Sequence, residues 1–390
     1  MGSAHAGTGV STMPRPVRKI VYVSGTRADF GLMKSTLVQL HAHAELSIAV
    51  TGMHLSPLFG RTIDDIRASG LRICAEVPVD VTTRTASSMA AGVGACLIGL
   101  TEVLQREQPD IVLLLGDRGE MLAGAIAALH LGIVCVHIHG GERSGTVDEP
   151  VRHAITKLSH YHLVATQESR DRLIRMGEHA ESVKITGAPG LDGLTELAGM
   201  PEGAFLTALG LAPQQPFILA IFHPVVQEAS DAYAQVSSLL SALKQTNLPV
   251  IWLEPNADAG SADILKALSD VGLPQGSHQV KHLPRNIFCA AMRYCAVMVG
   301  NSSAGIIEAA TFATPVVNIG HRQQSRETSA NVVTTDSAEA SIQKAITAAL
   351  AAGRVPCENK YGDGRAGLRI VDELTLIPLG SSVLNKCNSY

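Results

Sequence analysis

Residues 110–132 read DIVLLLGDRGEMLAGAIAALHLG. Five apolar residues, Ile111 to Leu115, stop at Gly116; Asp117, Arg118, Gly119 and Glu120 follow, and an alanine-rich stretch then runs to Gly132. A strand without polar alternation is one buried on both faces, and a strand, a short loop and a helix of these lengths make half of a βαβ unit. The charged loop stands at the carboxyl end of its strand, where open parallel sheets receive ligands.

The pattern recurs in both directions. KIVYVSG leads into LMKSTLVQLHAH, LSIAVTG into GRTIDDIRASG, IVCVHIHGG into EPVRHAITKLS, and HYHLVAT into ESRDRLIRMG. A Gly/Pro-rich stretch over residues 187–216 interrupts it, and PFILAIFHP, PVIWLEP, HQVKHLP, CAVMVGNSS and TPVVNIG then restart it. The reading is an α/β protein of two Rossmann-like domains, residues 18–195 and 196–360, facing each other across a cleft.

Composition narrows the class. The chain has 390 residues, 46 % hydrophobic and 17 % charged, with a formal charge of -4. That suits a globular protein of about two domains and offers no basic excess to nucleic acid. Seven scattered cysteines without C-x-x-C spacing support neither a disulfide framework nor a cysteine zinc site, so a reducing cytoplasm is expected. Residues 1–17 read as a disordered leader, with Met1 and Met13 both open as the start. No later run is expected to approach the ~18 apolar residues of a membrane span.

The strand-end loops carry the candidate chemistry. In GTRADFG (25–31) the glycines suggest a sharp turn or a close approach, and Arg27 suggests an anion. In GNSSAGIIEA (300–309) a strand ends, small hydroxyl residues follow and a helix begins. Ser302, Ser303 and free N–H groups would surround an anion there, although an ordinary N-cap reads the same way. Neither G-x-G-x-x-G nor a Walker A sequence is present, which argues against NAD or ATP; no cofactor is expected. His137 and His139, two apart at a strand end, would face one side as a metal pair does. Fifteen histidines also supply such pairs by chance, and no metal is assigned. Asp117, at the end of a fully apolar strand, needs either a partner or a job.

GTRADFG, GDRGEMLAGAIAAL, HIHGGERSGTVDEPVRHAITKLSHYH, FHP, PNADAG, GNSSAGIIEAATFATPVVNIGHRQQSRET and KYGDG, in this order, resemble the hydrolysing UDP-N-acetylglucosamine 2-epimerases of sialic acid synthesis over about residues 18–375. The resemblance implies a fold like the GT-B glycosyltransferases, with the site in the cleft. It also implies a helix over 361–378 crossing back to the first domain, a tail over 379–390, and a homodimer or homotetramer. It places UDP on Arg27, Asn256, Ser302, Ser303, Glu308 and Arg322, and the sugar among Asp117, Glu142, Asp148 and His223 as catalytic residues. Gly119 and His321 depart from the family's pattern. So does the helix SADILKALSDVG, where Lys266 is the only cation; feedback inhibition by CMP-sialic acid, which uses basic residues there in the animal enzymes, is not expected.

The chemistry wants this polarity. Inverting C2 beside an acetal carbon is possible if UDP leaves with the C2 proton, so carboxylates are needed on one side and cations or N–H donors on the other. Elimination would give 2-acetamidoglucal, and water would add to give N-acetylmannosamine. Other readings remain: the same reaction on UDP-2,4-diacetamido-2,4,6-trideoxyglucose, a non-hydrolysing epimerase, a glycosyltransferase, a silent UDP-sugar sensor, or a metal hydrolase using His137 and His139.

Overall fold

The computed structural model describes residues 17–83, 85–144, 148–255 and 260–390. All of the expected leader except Val17 therefore lies outside the described residues, as do Asn256 and Asp258 of PNADAG.

Seven parallel strands build the first sheet: β1 (Lys19–Ser24), β2 (Glu45–Thr51), β3 (Arg72–Val77), β4 (Ile111–Leu115), β5 (Val134–Ile138), β6 (Tyr161–Val164) and β7 (Val183–Ile185), in the order 3-2-1-4-5-6-7. Six more build the second: β8 (Ile218–Ile221), β9 (Val250–Leu253), β10 (His278–Val280), β11 (Val297–Gly300), β12 (Val316–Ile319) and β13 (Val332–Thr335), in the order 10-9-8-11-12-13. Each sheet starts at its centre, grows to one edge and then jumps back past its first strand. The jump leaves a crevice at the carboxyl ends of β1 and β4 in one sheet and of β8 and β11 in the other, where crossovers diverge. GTRADFG, GDRGE, FHP and GNSS follow those four strands.

Strands β3, β7 and β13 were not foreseen from the sequence. All three are edge strands, and edges face water along one side, so they lack the continuous apolar run that announces a central parallel strand. Arg72 and Glu76 on β3 are exposed, as are Val333 and Thr334 on β13.

Period-two alternation divides the first core between two faces. Ile20, Tyr22, Ile48 and Leu113 pack with Met33, Leu37 and Leu40 of helix Arg27–His41. Val21, Val23, Val112 and Leu114 pack on the other face with helices Ala86–Glu107 and Gly119–His130. Helix Ala366–Leu376, close to the end of the chain, joins the first of these clusters through Ile370, Val371 and Leu374. Its first N–H groups, from Ala366 and Gly367, donate to the Asp192 carboxylate at 2.9 and 2.5 Å.

Helix Ala86–Glu107 corrects one expectation. Its segment Ser87–Glu107, 21 residues, is long and apolar enough to cross a membrane by length and composition. Glycines at 92, 94 and 99 break up the apolar run and hide it from a reading by eye. Here Cys96, Leu100, Val103 and Leu104 lay one side of it on the first sheet.

Candidate active site

The first wall of the crevice is built on β4, β5 and the helix Asp148–Leu158. Gly116 takes φ +83°, a left-handed turn that suits glycine, and delivers Asp117 beyond the strand end. Arg152, only 3 % exposed at its side chain, donates from Nη2 to Asp117 Oδ2. Burial disfavours the charged guanidinium, but Asp117, Glu142 and Asp148 outweigh it and raise its pKa above the ordinary value. Arg152 Nε and Nη1 have no hydrogen-bond partner among the described residues. An unpaired buried donor costs about 1–3 kcal/mol, so the wall keeps donors in reserve beside its acids.

Glu142 is held at both carboxylate oxygens. Its Oε1 lies 2.5 Å from His139 Nδ1, and its Oε2 lies 3.0 Å from Arg326 Nη1, which reaches across from the second half of the chain. Burial alone would push this carboxyl up; His139, Arg326 and Arg152 reverse that and hold it well below the usual carboxylate range.

The histidine pair does not present itself to a metal. His139 sits past the end of β5 at φ +63°, which takes it out of the strand's alternation. His137 Nε2 lies 2.7 Å from the Gly116 carbonyl and must donate to it; its Nδ1 then accepts from Thr156 Oγ1 at 3.2 Å. Burial lowers the His137 pKa to about 3, so the ring is neutral and both nitrogens are occupied.

The second wall is organised by Asn301. Gly300 adopts φ +137° with a would-be Cβ only 1.9 Å from the Ile221 carbonyl, so no side chain fits there. The Asn301 amide then exchanges two bonds with the His223 backbone, at 2.7 and 2.8 Å. Its own carbonyl accepts from Arg322 Nη1 at 3.1 Å and Gln323 Nε2 at 2.9 Å. Burial, then the charge of Arg322, lower the His223 pKa to about 3 and keep the imidazole neutral.

Between the walls lies a cavity of about 150 Å³, lined by Asp117, Ser144 and Asp148 on one side and Ser303, Arg322, Gln323 and Arg326 on the other. A larger hollow of about 470 Å³ lies elsewhere, beside Thr195, Arg293 and Arg354. Arg354 spends its guanidinium there on the Phe312, Cys295 and Met292 carbonyls and the Thr314 hydroxyl, so its charge is not offered to a ligand.

Of the expected residues, Asp117, Asp148, Ser303 and Arg322 meet at the cavity, and Glu142 stands behind it through Arg326. Ser302 is the N-cap of helix Ser303–Ile307, its hydroxyl accepting from Ala304 N at 3.4 Å, and that helix is five residues long. Ser302 thus caps the helix that begins at the second wall. Glu308 is buried, with Arg285 Nη1 2.8 Å from its Oε2; burial raises its pKa against the pull of that guanidinium.

Arg27 does not line the cavity. Its Nε pairs with Asp65 at 3.1 Å, both side chains being well exposed. GTRADFG is also not the open turn the sequence suggested: Arg27–Gly31 already belong to a helix, and Asp29 closes a capping box with Thr26. The Asp29 carboxylate accepts from Gly25 N at 3.0 Å, Thr26 N at 2.7 Å and the Ser24 hydroxyl, so it is structural. Gly25 serves close approach, since a Cβ there would stand 3.1 Å from Glu120 Oε1. Asn256 lies outside the described residues.

The sequence reading assigns no role to Arg152, Ser144, Gln323, Arg326 or Arg285. Arg152 carried a signal, because it stands four residues after Asp148 and so shares its helix face. Arg326 carried none, since its partner lies 184 positions earlier in the chain.

A sequence profile of the UDP-N-acetylglucosamine 2-epimerase family matches residues 38–375. The chain is 49 % identical over 376 residues to the UDP-N,N'-diacetylbacillosamine 2-epimerase (hydrolyzing) of Legionella pneumophila, covering 96 % of this chain and all of that one. It is 33 % identical to a UDP-N-acetylglucosamine 2-epimerase of Neisseria meningitidis, over 89 % of this chain and 92 % of the relative. A crystal structure of a Neisseria meningitidis UDP-GlcNAc 2-epimerase bound to UDP-GlcNAc superposes with a TM-score of 0.78 at 19 % identity, over 92 % of this chain and 99 % of that one, and shares the two-sheet fold. With a matching profile over most of its length and a hydrolysing relative 49 % identical over the whole of that relative, the chain belongs to the UDP-N-acetylglucosamine 2-epimerase family, hydrolysing type.

Proposed function

We propose that the protein hydrolyses and epimerises UDP-2,4-diacetamido-2,4,6-trideoxyglucose, the sugar nucleotide also called UDP-N,N'-diacetylbacillosamine, releasing UDP and the free 2-epimer. The observation that carries the choice of sugar is the 49 % identity, over its whole length, to the Legionella enzyme named for that substrate. UDP-N-acetylglucosamine, with N-acetylmannosamine as product for sialic acid synthesis, is the second reading and has the 33 % identical Neisseria relative behind it. Seven unpaired cysteines suit a reducing compartment, and we place the reaction in the cytoplasm.

The two walls divide the work. A carboxylate of the first wall removes the C2 proton; the C–H electrons become the C1–C2 double bond as the C1–O bond breaks, and UDP departs. Arg322, Gln323 and Ser303 receive the negative charge on the leaving diphosphate, and Arg27, Asn256, Ser302 and Glu308 contribute to holding UDP. Water then adds its oxygen to C1, and a proton returns to the opposite face of C2. Glu142 is a weak base, with both oxygens engaged and its carboxyl held far down, so proton removal falls to Asp117 or Asp148 at the cavity surface. His223, kept neutral by burial and by the charge of Arg322, serves as a hydrogen-bond donor to the phosphate and not as a ready acid.

The test is to incubate the protein with each UDP-sugar and follow the products by NMR. Free 2-epimer bearing deuterium at C2 in D₂O and heavy oxygen at C1 in H₂¹⁸O is expected, with faster turnover of the diacetamido sugar. A product still attached to UDP, or free sugar with an unlabelled C2, refutes the proposal. Faster turnover of UDP-N-acetylglucosamine reverses the choice of sugar alone.

A further inference from the structure

The C-terminal segment after Leu384 returns to the back of the first sheet and buries a lysine there. Lys386 Nζ donates to the Thr156 carbonyl at 3.0 Å and the Ser159 carbonyl at 2.5 Å, and lies 2.7 Å from Glu178 Oε2, with its side chain only 16 % exposed. Those two carbonyls stand in the last turn of helix Asp148–Leu158 and just past it, where the negative end of the helix dipole favours a cation; the Thr156 carbonyl also accepts from Ser159 N at 3.1 Å. The same helix presents Asp148 to the cavity and Arg152 to Asp117.

A second line of contacts leaves the helix at Thr156. Its hydroxyl donates to His137 Nδ1, and His137 Nε2 donates to the carbonyl of Gly116, the residue before Asp117. One lysine thus touches the helix end from which both the helix face and the Asp117 loop are set.

Anchoring the tail does not account for Lys386. Ser389 N donates to the Gly177 carbonyl at 2.9 Å, Asn388 Oδ1 accepts from Lys157 Nζ at 2.6 Å, and the Tyr161 hydroxyl donates to Pro378 O at 3.1 Å. Nor does Glu178 depend on it for charge, since Lys157 Nζ lies 2.6 Å from its other oxygen. Burying a second ammonium costs desolvation that these ties do not require.

We propose that Lys386 is a positioning residue for the reaction: by capping the Asp148–Leu158 helix it fixes Arg152, Asp148 and, through Thr156 and His137, the Asp117 loop. This rests on the reading of Asp117 and Asp148 as the proton-transferring wall.

The experiment compares Lys386→Met with Lys386→Arg and with Tyr161→Phe, which loosens the tail without touching the helix. In Lys386→Met, kcat falls about tenfold, within the ~10²-fold that a 1 Å misplacement can cost, while KM and UDP affinity stay within about twofold. Lys386→Arg recovers most of the loss, and Tyr161→Phe matches the parent. Unchanged kcat in Lys386→Met, or kcat and UDP affinity falling together, overturns the proposal. If the parent itself turns over no UDP-sugar, the proposed function has failed, and amide hydrogen exchange on the ligand-free protein decides the positioning claim separately. Faster exchange along the Asp148–Leu158 helix in Lys386→Met than in Tyr161→Phe supports it; equal exchange overturns it.

Discussion

The two walls of the crevice are built on sheets of the same strand order and yet differ in chemistry. On the first, side-chain carboxylates project and each has a cationic or N–H partner nearby: Asp117 on Arg152, Glu142 between His139 and Arg326, and Glu149 accepting from Ser144 N at 2.8 Å. On the second, the Asn301 carbonyl gathers Arg322 and Gln323, so the surface offered to the cavity is cationic and amide. A shared fold therefore supplies only the place, and the loop residues decide which charge develops against which wall. In the function proposed above, this contrast assigns proton transfer to one wall and leaving-group binding to the other, and mutation can separate the two.

The largest effect is expected at Asp117. Asp117→Asn keeps a hydrogen-bonding partner for Arg152 but removes the proposed base, so kcat is expected to fall by at least ~10²-fold while UDP affinity, measured by calorimetry, is retained. Near-parental turnover would move proton abstraction to Asp148. On the opposite wall, Arg322→Ala removes a charge-assisted contact of about 1.5–3 kcal/mol and weakens UDP binding about ten- to hundredfold. A variant with unchanged UDP affinity and low kcat would erase the division of labour.

Glu142→Gln probes the Glu142–Arg326 ion pair, which spans the crevice. We expect a smaller loss of kcat than for Asp117→Asn, less than about tenfold, because Glu142 is engaged at both oxygens and makes a poor base. Its folded-state pKa lies below the ordinary 4.5, so the unfolded chain binds the proton more readily as pH falls. The carboxylate thus contributes stability that is complete above that ordinary value and is lost on acidification toward the depressed folded one. Denaturant titrations from pH 7 to pH 3 should show a shallower acid loss in Glu142→Gln than in the parent. An identical slope would mean that the pair across the crevice contributes nothing in solution.

The smallest effect is expected at Arg27. Its pair with Asp65 is exposed and screened, and its place is outside the cavity, so Arg27→Ala should weaken UDP binding by only a few-fold, within about 1 kcal/mol. A loss as large as that of Arg322→Ala, in the same calorimetric assay, would show that the cleft closes on Arg27 when UDP arrives.

Central strands and their exit loops were legible because both depend on local pattern. IVLLL and VMVG are apolar throughout since each is covered on two faces, and the residues following them must then be polar and near the crevice. The edge strands β3 and β13 were not legible, because half-wet strands carry mixed residues. Asp117 announced itself as a charge at the end of an apolar strand. That its partner would be Arg152 was within reach of helical spacing, whereas Arg326 reaching Glu142 was not.

The alternation of buried strands and helices, the restart after the Gly/Pro-rich stretch, and the acidic and basic loops at the strand ends all follow from the order of residues alone. Periodicity and loop chemistry act over a few residues, so they can be read in one dimension. Three-dimensional packing, by contrast, sets Asp29 as a helix cap while Asp117 meets an arginine, makes His137 a neutral hydrogen-bond bridge, and brings Lys386 to a helix end more than two hundred residues earlier. Those outcomes depend on which groups lose water together, and a group's partner in a dry interior is set by the packing of distant segments, which no local pattern contains.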